Sequence, residues 1–351
     1  MILDVVKTLL PGVISFAIGI GFAPVLTNFL YTRKMWKKRA GKRALDGNDA
    51  PIFNKLHETR EVGTPKMGGV VVWVAACATA LLLWLLPLLV SSELFSKLDF
   101  VSRGQTWLPL AALLLGALVG LVDDFLEVRG AGGISLKKRL IAVTVISLLA
   151  ALWFFVKLET SAVSFPFVGE VQVGMFFIPL FILIALAVYS GGVIDGIDGL
   201  AGGVFAIMFG AYSLIAFFQD QFNLAALCAA LVGGILAFLW FNIPPARFYL
   251  SETGTMALTL ALTIVAFMTD AVDGGKGIAV LPIIAAPLLL TTLSNIVQVA
   301  SKKFRGKKVF LVAPLHHHFE ALGWPPYKVT MRYWVLSVLF AMVGTIVALI
   351  G

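Results

Sequence analysis

Apolar residues in this chain do not alternate with polar ones at the period of a half-buried strand; they run together in blocks of about 20, the length at which a helix crosses the hydrocarbon core of a bilayer. Such blocks fall near 10–32, 67–90, 106–122, 139–156, 174–193, 199–218, 222–242, 254–270, 277–299 and 333–350. Only short gaps, 194–198 and 219–221, separate the fifth, sixth and seventh. Reading three spans there instead of two sets the direction of everything downstream. The pattern predicts an all-α integral membrane protein of about ten transmembrane helices. With no repeat of 20–50 residues and no low-complexity linker, residues 1–351 read as a single polytopic domain.

Composition agrees. Hydrophobic residues make up 60% and charged residues 13%, where a soluble domain carries about a quarter charged. Lys and Arg mark the loops that stay on the cytoplasmic side. With the blocks as drawn, the loops 33–66, 123–138, 194–198, 243–253 and 300–332, together with Arg139, collect the basic clusters, and the other side keeps Lys7, Lys97, Arg103, Lys157 and Lys276. Both termini are therefore expected on the extracytoplasmic side. The formal charge of +8 calls for no nucleic acid: "RKMWKKRAGKR" (33–43) and "KKFRGKK" (302–308) are juxtamembrane, where they attract anionic lipid. Cys77 and Cys228 lie inside apolar blocks and read as packing residues, neither a disulfide framework nor a metal site. The first block has no small-residue cleavage site close behind it, so it reads as a retained span.

On this topology the costly polar residues fall at one membrane face. Asp123 and Asp124 end the third span, Asp195 and Asp198 follow the fifth in "GGVIDGIDGL", Glu252 opens the eighth, and His316, His317 and His318 sit in the last cytoplasmic loop. Each has a plain alternative. An Asp pair at a helix end can mark the interface, Glu252 can cap a helix through its dipole, and three histidines can form a polar turn. Asp195 and Asp198 share a face only if the backbone between them is helical, which Gly196 and Gly199 make doubtful. Together, ionisable groups gathered at one membrane face suggest one site.

Hard carboxylate oxygens suit Mg²⁺, which binds through one or two carboxylates together with substrate phosphates. Zinc hydrolysis fits less well, because the histidines are one cluster plus His57 and no His-Glu-x-x-His spacing occurs. A P-loop is absent. A transporter would place its charges at span centres and not at span ends.

In order and spacing, "GTPKMGG" (63–69), "VDDF" (122–125), "DGIDGLAGG" (195–203), "FNIPPARFYLSETGT" (241–255) and "PLHHHFEALGWPPYKVTMRYW" (314–334) resemble the motifs of the phospho-N-acetylmuramoyl-pentapeptide translocase family, within the polyprenyl-phosphate N-acetylhexosamine-1-phosphate transferases. The histidine block is the most specific piece; "DGIDGL" identifies only the superfamily. The resemblance implies Mg²⁺-dependent transfer of phospho-MurNAc-pentapeptide from UDP-MurNAc-pentapeptide to undecaprenyl phosphate, giving lipid I and UMP in bacterial peptidoglycan synthesis. It implies an inner-membrane location with the site on the cytoplasmic face, and a homodimer. By position it makes Asp123 the group that deprotonates or orients the lipid phosphate, with Asp124 its pair. Asp195 and Asp198 fall beside the nucleotide, Tyr249 on uracil, Glu252 at the metal, His316, His317 and His318 near phosphates and sugar, and Lys66 and Gly192 among the substrate contacts.

The chain departs from the family pattern at several of these positions. Glu252 replaces aspartate, Glu127 stands where lysine is usual, Lys66 where threonine is usual, and Tyr189 and Gly192 where asparagines precede "DGxDGL". These changes leave a related transferase with another UDP-N-acetylhexosamine donor, or a non-catalytic paralogue that binds lipid phosphate, as alternatives.

Overall fold

The computed structural model describes residues 2–38, 62–90, 93–102, 104–271 and 275–351. His57, Arg103 and the second half of the basic run 33–43 lie outside the described residues. The helices are α1 (Ile2–Thr32), α2 (Val70–Leu89), α3 (Glu93–Leu98), α4 (Trp107–Val128), α5 (Leu136–Lys157), α6 (Phe177–Ser190), α7 (Leu200–Phe218), α8 (Phe222–Asn242), α9 (Ser251–Asp270), α10 (Gly277–Ile284), α11 (Ala286–Arg305), α12 (Leu315–Ala321) and α13 (Pro326–Ile350). Among the described residues, 9 helices are long and apolar enough to cross a membrane, or up to 10 if the bent pair α10–α11 is one span. The chain is a multi-pass, all-helical membrane protein, and the only strands described form a small antiparallel hairpin, Ala162–Phe165 with Gly169–Gln172, in register Ala162↔Gln172.

Two elements differ from the sequence expectation in ways that matter. The block 277–299 is not one straight span: it breaks at Ala285 and bends by 65°. Pro287, at the start of α11, offers no N–H and its ring crowds the preceding turn, so the ladder restarts there in a new direction. The third span does not stop at residue 122 but continues as helix to Val128. Asp123, Asp124 and Glu127 are thus helical residues with fixed relative directions, not loop residues.

α9 is the central helix, with nearly every residue buried. It packs closely against α4 because Gly116 and Gly120 have no side chain: a Cβ at Gly120 would run into the Glu252 carbonyl, and one at Gly116 would lie 2.9 Å from the Met256 carbonyl oxygen. Small residues that let backbones touch are how helices associate where lipid removes the hydrophobic drive. That contact sets the last turns of α4 beside the first turn of α9. Asp4 in α1 lines a small hollow with Phe217 and Phe222, and Gly351 lies against Pro166 in the hairpin. Both ends of the chain therefore share a face with the hairpin, and the motif residues gather at the opposite one.

Candidate active site

Asp124 points from α4 straight at α9. Its Oδ2 accepts the Thr253 N–H at 3.0 Å and the Thr253 hydroxyl at 2.6 Å, and its Oδ1 lies 3.1 Å from the Lys66 ammonium. Asp123, one position back and turned about 100° around the helix, accepts the Ile134 N–H and lies 3.7 Å from Arg139 Nη1. Glu127 is one turn further on, three and four residues from the pair and so on their side of the helix. It pairs with Lys66 through Oε2 and with Lys37 through Oε1, the latter at 3.1 Å. Glu252 pairs with Arg139 and receives the Tyr189 hydroxyl at 3.4 Å. Two partly buried networks result: Lys66 joins Asp124 to Glu127, and Arg139 joins Asp123 to Glu252. Burial alone would lower the Lys66 ammonium, but the Asp124 and Glu127 carboxylates outweigh it and hold its pKa above the usual lysine value.

Ligand oxygens of Asp123, Asp124 and Glu127 lie within 4.8 Å of one another. Three hard oxygen donors gathered from one stretch of α4 are of the kind that suits Mg²⁺. Glu252, the position the resemblance gives to the metal, sits outside this group and faces Arg139.

The stretch "GGVIDGIDGL" is a sharp re-entry of the chain. α6 ends at Ser190, Gly191–Ile194 make one tight 3₁₀ turn, and α7 begins only at Leu200 after Gly199 takes a left-handed φ of 76°. The backbone between Asp195 and Asp198 is not helical, so the shared helix face required for i, i+3 carboxylates is not formed. Each instead accepts a separate main-chain N–H: Asp195 from Ser251, the first residue of α9, at 2.8 Å, and Asp198 from Ala246, in the segment before α9, at 3.1 Å. The Gly199 carbonyl receives the Trp334 indole at 3.2 Å, and its N–H donates to Asn242 at 2.8 Å. Gly192 faces Thr255, whose Cβ would be 3.3 Å from an added side chain. Gly196 is the tightest position, since a Cβ there would collide with the imidazoles of both His316 and His317.

Those histidines are on a short helix, α12, and not in a loop. His316 and His317 are buried with ring centres 4.2 Å apart, and His317 Nδ1 lies 2.6 Å from Glu320 Oε2. With Nδ1 engaged by the carboxylate, Nε2 is the atom His317 presents toward Gly196. His318 turns away: its Nδ1 receives the Leu311 N–H at 3.2 Å, and its ring rests on Phe310. The three adjacent histidines therefore divide, two over the aspartate turn and one in the neighbouring loop.

Tyr249 is held by main-chain hydrogen bonds between two motifs whose segments run in the same direction. Its N–H donates to Pro65 at 2.9 Å and its carbonyl receives the Gly68 N–H at 2.7 Å. The same pairing brings the Met67 N–H to Ser251 Oγ at 2.9 Å, which fixes the backbone on either side of Lys66.

Sequence reasoning overlooked two partners. Arg139 counted only as a topology signal, although a lone guanidinium in the first turn of an apolar span needs a carboxylate nearby. Glu320, three residues after His317 in "HHHFE", had the spacing of a helical pair in plain view.

Residues 106–270 match the model of glycosyl transferase family 4. That segment holds the aspartate pairs, Tyr249 and Glu252, with Lys66 and the histidines on either side of it. Over 341 residues, 96% of each chain, the sequence is 33% identical to a phospho-N-acetylmuramoyl-pentapeptide-transferase of Halalkalibacterium halodurans. Proteins of the same name from Geobacillus sp. (strain WCH70), over 95% of each chain, and from Chloroflexus aggregans, over 90% of this chain and 85% of the relative, are each 32% identical. Similarity of this extent, with the motif residues assembled at one end of the helix bundle, shows that the chain belongs to the phospho-N-acetylmuramoyl-pentapeptide-transferase family.

Proposed function

We propose that this protein transfers phospho-MurNAc-pentapeptide from UDP-MurNAc-pentapeptide to undecaprenyl phosphate in a Mg²⁺-dependent reaction, releasing UMP and leaving lipid I in the bacterial inner membrane. One observation carries the proposal: acids, cations and histidines from six separate stretches of sequence are brought together at one end of an otherwise apolar bundle. The excess of Lys and Arg in the loops at that end supports a cytoplasmic orientation for it, with both termini on the other side.

In the reaction an oxygen of the lipid phosphate attacks the sugar-linked phosphorus, and the bond from that phosphorus to the oxygen of UMP breaks. Asp123, at the membrane end of the cluster, orients the lipid phosphate and takes its proton where one is present. Asp124, Glu127 and Asp123 supply the oxygens that would hold Mg²⁺, which offsets charge on the pyrophosphate. Glu252 joins them through Arg139 and Asp123. Lys66 and Arg139 are the cations nearest the transferred phosphoryl group. Asp195 and Asp198 shape the nucleotide side, where Tyr249 stacks on uracil and Gly192 leaves room for the backbone to approach. His317, aligned by Glu320, and His316 line the sugar-phosphate side, with His318 at its edge.

The test is product identity. Purified protein given both substrates should form undecaprenyl-pyrophosphoryl-MurNAc-pentapeptide, seen by mass spectrometry, in preference to the product from an equal amount of UDP-GlcNAc. Reversed preference would assign the chain to another donor sugar.

A further inference from the structure

The carboxylate group on α4 already holds a cation of the protein's own. Lys66 Nζ lies 3.1 Å from Asp124 Oδ1 and pairs directly with Glu127 Oε2. Both carboxylates belong to the three whose oxygens lie within 4.8 Å of one another. The Lys66 side chain is only 14% exposed. Lys37 reaches the other oxygen of Glu127, and Arg139 serves Asp123 and Glu252. Among the described residues, Lys66 is thus the cation that bridges two members of the group.

A Mg²⁺ ion demands ligand oxygens at about 2.1 Å in near-octahedral array. Asp124 Oδ1 and Glu127 Oε2 cannot meet that demand and keep an ammonium between them, because the two positive centres would repel at van der Waals distance. The Lys66 backbone is pinned: its N–H donates to the Met35 carbonyl at 2.9 Å, and the next two amides bond Ser251 and Tyr249. Movement is therefore confined to the side chain, a flexible four-carbon stem carrying a compact charge. Its root lies beside Tyr249, the residue read above as facing uracil.

We propose that Lys66 is a tethered cation that keeps the seat between Asp124 and Glu127 and yields it when a divalent cation loads, turning its ammonium to the phosphates of a nucleoside diphosphate donor. The inference rests on the Mg²⁺-assisted reading of this site and adds an exchange of cations to it. Such an exchange makes metal binding weak in the free protein and strong in the presence of a diphosphate that receives the displaced lysine.

The full chain, purified in detergent, is titrated with Mn²⁺ while free ion is followed by electron paramagnetic resonance, with no substrate present. Lys66→Met is expected to bind Mn²⁺ at least about tenfold more tightly than the unaltered chain, because a competing positive charge is gone; equal or weaker binding overturns the proposal. A second measurement needs no variant. Acylation of Lys66 by an amine reagent, read by peptide mass spectrometry, should quicken several-fold when Mg²⁺ is added, and unchanged or slower labelling contradicts the exchange. Neither readout needs turnover. Metal responses without UMP release would sink the transferase reading alone, and UMP release without them would sink the cation exchange alone.

Discussion

Two carboxylates at opposite ends of α9, Asp270 buried and Glu252 partly buried, show how differently one helix handles an acid. At its far end, on the face with both termini, Asp270 accepts the main-chain N–H of Ile278 at 3.1 Å and of Ser164 at 3.4 Å. Those amides belong to the start of α10 and to the hairpin, so Asp270 stitches three backbone segments together. At the near end, Glu252 pairs with Arg139, and the α4 acids add side-chain cations, Lys66, Lys37 and Arg139, to the main-chain N–H groups of Thr253 and Ile134. A carboxylate tied to backbone amides stays put unless the fold opens. One balanced by flexible cations can exchange them for a metal or release them to a phosphate. At Asp270 the amides alone serve structure; at the near end the added, exchangeable cations leave room for chemistry.

Substitutions should separate the two ends. The largest effect belongs to Asp123→Asn, which keeps the shape and removes the charge: UMP release should fall by about 10³-fold, in the range found for loss of a positioned acid or base, with the melting temperature of the purified protein little changed. Next comes Gly196→Ala. The added methyl meets His316 and His317, and displacing them by about an ångström should cost on the order of 10²-fold in turnover, measured in the same assay. Glu320→Gln removes only the group that aligns His317, so turnover should drop by roughly tenfold, a fraction of what losing an acid or base outright costs. The smallest effect on rate belongs to Asp270→Asn. It should lose about 1–3 kcal/mol of stability, the cost of weakening buried charge-assisted hydrogen bonds, seen in thermal unfolding, while turnover of the folded fraction stays as before. If Asp270→Asn stopped turnover in folded protein, or Asp123→Asn mainly unfolded it, the contrast between the two ends would fail.

Much of this was legible in the sequence, for physical reasons that also mark where legibility stops. A 20-residue apolar block is a strong signal because bilayer thickness fixes its length, and helices formed at all the blocks. The bend at Ala285 was hidden because an apolar block looks the same whether straight or broken. Only Pro282 and Pro287 hinted at it. Asp123, Asp124, Asp195, Asp198, Glu252 and the histidines could be singled out because ionisable groups are rare at membrane depth. Which of them touch could not be read, since the contacts join residues far apart in the chain: Arg139 with Glu252, Lys66 with Asp124. The turn at 195–198 shows the same limit. Its glycines signalled that a helix was doubtful, but not that Gly196 exists to admit two imidazoles from α12. The odd lysine in "GTPKMGG" and the odd glutamate in "DDFLE" looked like separate departures from the family pattern and prove to be one ion pair.

Transfer at the Asp123 cluster is tested by UMP release from the purified chain in detergent, supplied with undecaprenyl phosphate and UDP-MurNAc-pentapeptide, with Mg²⁺ and with the ion removed by chelation, beside Asp123→Asn. Release is expected to need both the metal and Asp123. Release that persists without the metal, or that Asp123→Asn leaves at full rate, would contradict it, and so would a folded preparation that releases no UMP.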